Sequence, residues 1–206
     1  KARINMTKCD MLLENEGQKY DLIAQDFANW RDSFNTEKKY IDLLVNHIQP
    51  GASILDIGCG SGYPIASYLI ENGFYLTGID SSQKLLDIAK INCPMMNCIH
   101  GDIRTISVTD KYDAIIEWWC LFHLPKADHA KMFSRFASWL KDGGILEFTT
   151  GADDFEGTSS EMLGQPLNFY SHAPAVYETF LKQNGFKLLL KEHDQEQHLV
   201  WIAQKI

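Results

Sequence analysis

A glycine turn that follows an acidic residue offers the clearest chemistry in the sequence. Residues 54–64 read ILDIGCGSGYP, an apolar run followed by glycines at alternate positions and a proline. The run is typical of a strand buried on both faces, and the glycines leave the turn almost without side-chain bulk. The proline suits the first turn of a helix. The segment therefore predicts a strand, a turn and a helix, with backbone against which a ligand can lie.

The spacing of these glycines distinguishes the turn from that of dinucleotide-binding enzymes. Gly58, Gly60 and Gly62 are spaced Gly-x-Gly-x-Gly, whereas dinucleotide folds use Gly-x-Gly-x-x-Gly. Asp56 stands at the strand end, where a carboxylate repels a pyrophosphate but suits a ligand with an ammonium or sulfonium group. S-adenosylmethionine is such a ligand.

Two further acids end predicted strands. Asp80 closes the run 74–80 about twenty residues beyond Gly60, the separation at which a second-strand carboxylate meets ribose hydroxyls in Rossmann-like sheets. One carboxylate can accept from both hydroxyls. The alternative role of Asp80 is a helix cap, which Ser81 or Ser82 could provide as well. Asp102 follows the short strand 97–100, so three acids at three strand ends predict one crevice at the carboxyl edge of a sheet.

The elements that position these acids follow an alternating pattern. Apolar periodicity predicts two helices, over about 20–30 and 40–48, before the first strand, and strand–helix units after it. Residues 1 to about 17 have no clean period and are expected to form a short helix or a mobile arm. Residues 151–169 break the rhythm and are expected to form a loop or lid over the substrate. A helix over 173–184 and two strands, 186–192 and 198–203, complete the pattern.

The glycine turn and its acid resemble motif I of the class I S-adenosylmethionine-dependent methyltransferases, and the resemblance covers about 20–206. LFHLP (121–125) and WLKDGG (139–144) resemble a bacterial subgroup similar to methyltransferase type 11 and 12 domains, with mostly unassigned substrates. The resemblance implies a Rossmann-like three-layer α/β sandwich with helices on both faces. Its mostly parallel seven-stranded sheet has the order 3-2-1-4-5-7-6, with the last inserted strand antiparallel. In this single domain, residues 1–50 form a helical segment over the cofactor site, 51–206 bind S-adenosylmethionine, and about 151–170 form the lid.

The resemblance also implies roles at the strand ends. Asp102 would accept from the adenine amino group of S-adenosyl-L-methionine while the backbone N–H of Ile103 meets a ring nitrogen. Tyr20 stays open between cofactor contact and packing, and packing is preferred for Trp30. The predicted cofactor-binding residues are Tyr20, Asp56, Gly58, Cys59, Gly60, Asp80, Ser81, Asp102, Ile103, Glu117 and Trp118.

The loop after the fourth predicted strand, residues 118–125, is unusually aromatic and reads WWCLFHLP. Apolar walls exclude water and leave few groups to compete with a methyl acceptor. His123, Tyr170 and His172 are predicted to converge on the acceptor side as catalytic residues, because histidine titrates near neutral pH and suits a general base. The alternatives are that His123 bonds a backbone carbonyl and that His172 caps the following helix.

The composition limits the partners. With 206 residues, 45% of them hydrophobic, the chain suits one core, and a net charge of −8 argues against nucleic acid. A small-molecule substrate and a monomer or homodimer are expected. Five cysteines without the density of a secreted scaffold favour reduced thiols, hence a cytoplasmic protein, and no cysteine spacing supports a metal site. No apolar run approaches membrane-spanning length.

The sequence thus favours S-adenosylmethionine-dependent methyl transfer to a small O, N or S nucleophile. A sensor that binds the cofactor without reaction is the first alternative. A nicotinamide oxidoreductase is the second, and the glycine spacing and Asp56 disfavour it.

Overall fold

A computed structural model of the chain describes residues 16–206. The helix or arm expected for residues 1–17 falls almost entirely outside this range. Within it, no helix is both long and apolar enough to cross a membrane.

A twisted sheet of seven strands forms the centre of the fold, and a separate hairpin supplies two more strands. The nine strands are β1 (Ser53–Ile57), β2 (Tyr75–Asp80), β3 (Asn97–His100), β4 (Tyr112–Glu117), β5 (Leu140–Thr150), β6 (Phe155–Met162), β7 (Gln165–Ser171), β8 (Phe186–His193) and β9 (Leu199–Lys205). The central order is β3-β2-β1-β4-β5-β9-β8, and β9 pairs antiparallel with both of its neighbours. The predicted order 3-2-1-4-5-7-6 is confirmed, since β8 and β9 are its sixth and seventh strands.

Helices cover both faces of this sheet. They are α1 (Gly17–Trp30), α2 (Lys38–Val45), α3 (Ile65–Glu71), α4 (Gln83–Asn92), α5 (Lys126–Trp139) and α6 (Pro174–Gln183). Successive strand residues point to opposite faces, so Ile54 packs with α2, α3 and α4 whereas Leu55 packs with α5 and α6. The predicted three-layer sandwich is confirmed.

The segment 151–169 is not the loop that the sequence predicted. It contains β6 and most of β7, which pair antiparallel outside the central sheet. Leu163 and Gly164 form the two-residue turn, both with positive φ (49° and 79°), the backbone that favours a tight hairpin. Ser, Thr and Gly in β6 concealed the strand because this hairpin is largely exposed and lacks an apolar alternation.

Candidate functional site

A cleft opens at the carboxyl ends of β1, β2 and β4, with α1 on its other side. It holds about 1190 Å³ of empty space, including the part open to solvent. All of the predicted cofactor-binding residues except Glu117 line it, and so does His123. The parallel strands therefore bring the three strand-end acids to one edge.

The glycine turn is held between β2 and the loop after β4. The backbone N–H groups of Gly58 and Cys59 donate to the Ile79 carbonyl at 2.8 and 3.2 Å. Gly58 has φ +71°, and a Cβ atom there would lie 2.6 Å from Cys120 Cβ, so no other residue fits without displacement. The turn thus exposes backbone to the cleft because its other side is packed.

Asp80 is fixed at the wall of the cleft by two backbone donors. Gly60 N–H donates to Oδ2 at 2.9 Å and Ser82 N–H to Oδ1 at 2.8 Å. Burial raises the pKa of Asp80, and these N–H groups oppose the shift. Ser82, not Ser81, caps α4, because its Oγ accepts from Leu85 N–H at 3.2 Å. The alternative of a cap at Asp80 is therefore not needed, and Ser81 stays on the cleft wall.

Asp56 lies opposite a cation that the sequence analysis did not identify. Burial and the charge of Asp80 raise the pKa of Asp56 to about 7, and Arg31 at the end of α1 opposes the shift. Arg31 Nη1 bonds Glu37 Oε1 at 2.6 Å, and its guanidinium carbon stands 5.0 Å from the centre of the Trp119 ring. The cleft therefore holds an acid and a cation near each other, which matches the two charges of an amino acid.

The third acid is also held in place. Arg104 Nε and Nη2 donate hydrogen bonds to Asp102 Oδ2 at 3.0 and 2.6 Å. Burial alone would raise the pKa of Asp102, but the Arg104 bonds keep it below its ordinary value. Asp102 is thus an ionised acceptor beside the buried side chain of Ile103.

Glu117 serves the loop and does not line the cleft. Its carboxylate accepts from the backbone N–H of Cys120 at 2.7 Å, of Thr149 at 3.2 Å, and of Leu121. Burial raises its pKa to about 8 despite these three donors. The predicted cofactor contact is therefore not found, because the side chain is fully buried beneath the loop that it ties to β5.

The aromatic loop places Trp118 and Trp119 on the wall of the cleft. Trp118 is buried and packs on Tyr40, with ring centres 5.8 Å apart. Trp119 has φ +59°, uncommon for a bulky residue, and its N–H donates to Thr149 Oγ1 at 2.8 Å. These contacts with α2 and β5 thus hold the loop in one conformation.

His123 forms a pair with Tyr20. The ring nitrogen Nδ1 lies 2.9 Å from the Asn168 carbonyl, which can only accept, so Nδ1 carries a hydrogen. In the neutral ring Nε2 is then an acceptor, and the Tyr20 hydroxyl donates to it at 3.0 Å. Burial lowers the pKa of His123 and raises the pKa of Tyr20, so both groups are neutral. His123 does bond a backbone carbonyl, as the alternative proposed, and still reaches the cleft.

Tyr170 and His172 do not join this pair. Neither lines the cleft. His172 Nε2 lies 3.2 Å from the Lys126 carbonyl, and its ring packs 5.8 Å from that of Phe180. His172 does not cap α6 through its side chain either, since the N-cap is Ala173 without a side-chain bond. The predicted convergence fails because neighbouring residues of a strand face opposite sides, and in β7 the cleft receives Phe169.

Several residues of the cleft were missed or placed differently by sequence reasoning. Phe169 packs 4.9 Å from the His123 ring and 5.4 Å from the Phe122 ring. The Asn168 amide bonds Glu16 Oε1 at 3.0 Å, which connects the hairpin to the start of α1. An alternating strand pattern across 165–171 would have placed Phe169 and Tyr170 on opposite faces. No feature of the sequence indicated that Arg31 lines the cleft. Within 16–206, no three His, Cys, Asp or Glu side chains are placed to hold a metal ion.

Comparisons with known proteins agree with this geometry. Residues 54–144 match the family described as a methyltransferase domain. A ubiquinone biosynthesis O-methyltransferase of Coxiella burnetii (strain Dugway 5J108-111) is 30% identical over 208 aligned positions, 89% of this chain and 87% of the relative. Phosphoethanolamine N-methyltransferase 3 of Arabidopsis thaliana is 26% identical, over 83% of this chain and 36% of its own length. The crystal structure of 1,6-didemethyltoxoflavin-N1-methyltransferase from Burkholderia thailandensis, with 1,6-didemethyltoxoflavin and S-adenosylhomocysteine bound, has a TM-score of 0.72 at 15% identity, covering 100% of this chain and 92% of that one.

The chain belongs to the class I S-adenosylmethionine-dependent methyltransferases. It is an enzyme, and its methyl donor is S-adenosyl-L-methionine, so the predicted family, fold and cofactor are confirmed. The residues present suit this donor. The glycine turn leaves space along the backbone, Asp80 offers a fixed carboxylate, and Asp56 with Arg31 matches an ammonium and a carboxylate.

Proposed function

We propose that the enzyme methylates an O, N or S nucleophile of a small molecule by in-line displacement. The observation that carries this proposal is the lining of the cleft, which combines two kinds of surface. We assign the glycine turn and the three strand-end acids to a cofactor half, and the aromatic walls around the Tyr20–His123 pair to an acceptor half. A donor and an acceptor can thus meet between them, away from water.

In the first half we assign the cofactor. Asp80 accepts from the ribose hydroxyls, and the Asp102 carboxylate accepts from the adenine amino group next to the Ile103 backbone. Asp56 and Arg31 take the ammonium and carboxylate of the methionyl end. The helical part of residues 16–50 covers the cofactor, in agreement with the place of α1 at the cleft.

In the second half the Tyr20–His123 pair removes the proton of the acceptor. The bound cofactor supplies a methyl group on a sulfonium, which takes the electron pair of the broken C–S bond. Tyr20 Oη accepts the proton of the nucleophile and passes its own proton to His123 Nε2, which is free to receive it because Nδ1 holds the only hydrogen of the ring. His123 then releases the proton to water.

The atom that is methylated differs between relatives, since one is named as an O-methyltransferase and the other as a phosphoethanolamine N-methyltransferase. For this chain we further propose a small-molecule substrate with no nucleic acid, a cytoplasmic location, and a monomer or homodimer. The net charge of −8 supports the exclusion of polyanions.

The test combines methyl transfer from labelled S-adenosylmethionine with two variants and a control. Tyr20→Phe and His123→Ala should each lower kcat/KM by about ten-fold or more, with nearly unchanged affinity for S-adenosylmethionine. His172→Ala is the control, since this ring lies outside the cleft. Equal losses in His172→Ala and His123→Ala, or full activity of both Tyr20→Phe and His123→Ala from pH 6 to 9, would show that the pair does not move the proton.

A further inference from the structure

Aromatic side chains form the walls of the acceptor half of the cleft proposed above. The rings of Phe122 and Phe169 stand 5.4 Å apart, and His123 lies 4.9 Å from Phe169. These residues come from the loop after β4 and from β7, and Tyr20 closes the space from α1. We call this space the aromatic chamber, and its walls are Tyr20, Trp119, Phe122, His123 and Phe169.

Trp119 is the most constrained wall of the aromatic chamber. A tryptophan at φ +59° has a strained backbone, which persists only where the surroundings enforce it. Thr149 Oγ1 accepts the Trp119 N–H, and Glu117 accepts the next two N–H groups. Arg31 lies over the ring and His198 packs against it at 5.7 Å. Trp119 is therefore fixed in place before any ligand binds.

The charges around the aromatic chamber disfavour two classes of acceptor. Among the described residues of the cleft, Arg31 is the single Lys or Arg, and it is bonded to Glu37 and faces Asp56. A phosphorylated acceptor would thus lack the cations that phosphate groups need. An ammonium acceptor would have to compete with Lys19 for Glu16, the one carboxylate among the described residues of the cleft lining that the cofactor assignment leaves over.

We propose, on the basis of the methyl transfer inferred above, that the acceptor is an uncharged planar aromatic compound whose nucleophile is a ring hydroxyl. Its ring lies along Phe122 and Phe169, where stacking favours a flat π-system. Its hydroxyl donates to Tyr20 Oη, the single hydroxyl among the five described residues that define the aromatic chamber. The hydroxyl oxygen bonds the methyl carbon as the C–S bond breaks, and the hydroxyl proton passes through Tyr20 to His123.

The first test measures acceptor choice. Purified full-length chain with labelled S-adenosylmethionine is given catechol, 2-naphthol, phosphoethanolamine or ethanolamine, and calorimetry checks that S-adenosylmethionine binds. We expect kcat/KM for the better phenol to exceed that for either amine by about 100-fold or more, because an unpaired buried charge is costly. Binding of S-adenosylmethionine without turnover of either phenol, or a phenol preference below ten-fold, overturns the phenol proposal alone. A protein that does not bind S-adenosylmethionine overturns the proposed function and this inference together.

The second test asks whether the ring stacks on the hairpin. Phe169→Leu should raise KM for the phenol by about 3- to 10-fold with little change in the dissociation constant of S-adenosylmethionine. The matched control is Phe155→Leu on the neighbouring strand, a ring that is 55% exposed and outside the cleft. Equal KM values in the two variants would overturn the stacking and with it the placement of the acceptor.

Discussion

Glu147 on β5 is a carboxyl group that the fold buries at a cost, and its replacement should stabilise the protein. The side chain is 0% exposed, and neither oxygen has a hydrogen-bond partner within residues 16–206. Its strand neighbours are Ile116 on β4 and Ile202 on β9. Burial raises the pKa of Glu147 well above its ordinary value. We therefore expect Glu147→Leu to raise the free energy of unfolding.

The size of this effect should depend on pH. An unsatisfied buried polar group costs about 1–3 kcal/mol even when it is neutral. Above the ordinary glutamate pKa of about 4.3, the unfolded chain releases the proton that the folded protein keeps, so stability falls as pH rises. The loss is up to about 1.4 kcal/mol per pH unit until the folded pKa is reached, or up to about 2.7 kcal/mol between pH 5.5 and 7.5.

Urea unfolding of the wild-type protein and of Glu147→Leu at pH 5.5, 6.5 and 7.5 measures this dependence. The difference between the two proteins should grow with pH, because the contributions of other buried acids, such as Asp56, are common to both. Glu156→Leu on the exposed strand β6 is the control, and its difference from the wild type should stay nearly constant. A lower stability of Glu147→Leu, or a difference independent of pH, would refute the assignment of Glu147 as an unpaired buried acid.

Two further predictions concern the turn and the loop that shape the cleft. Gly58→Ala should lower the free energy of unfolding, measured in urea, by about 1–3 kcal/mol more than Gly143→Ala does. Both positions have positive φ, but only at Gly58 would a Cβ atom meet Cys120. Equal losses of stability would contradict the packing of the turn. Glu117→Gln should lower the free energy of unfolding by about 1–3 kcal/mol and shift the fluorescence of Trp119. Its amide oxygen can replace Oε1 for the Cys120 and Leu121 N–H groups, but its amide nitrogen cannot accept from the Thr149 N–H. An unchanged stability and spectrum would count against Glu117 as the anchor of the loop.

The sheet and the cofactor half of the cleft could be predicted because they follow from local rules. A buried run followed by alternate glycines fixes one strand and its turn, and parallel strands bring their carboxyl ends together. The position of Asp56, Asp80 and Asp102 at one edge of the sheet can therefore be predicted without knowing how the loops fold. The aromatic loop was likewise placed correctly as a wall, because it begins where β4 ends.

The remaining features of the site depended on contacts that sequence periodicity does not encode. Arg31 reaches the cleft because the chain after α1 folds back to bring Glu37 beside it. The Glu117 side chain faces the interior because the left-handed backbone of Trp119 directs the N–H groups of Cys120 and Leu121 toward it. His172 was misplaced because the segment before it is a strand, in which the register decides which residue faces the cleft.

The assignment of the cleft as the S-adenosylmethionine site is tested most directly by calorimetric titration of S-adenosylhomocysteine into the wild-type protein, Asp80→Ala and the exposed control Asp110→Ala, each checked for folding by circular dichroism. Loss of two charge-assisted hydrogen bonds should weaken binding to Asp80→Ala by about 3 kcal/mol, roughly 150-fold, whereas Asp110→Ala should bind like the wild type. A folded Asp80→Ala variant that binds S-adenosylhomocysteine with the wild-type dissociation constant would contradict the placement of the cofactor.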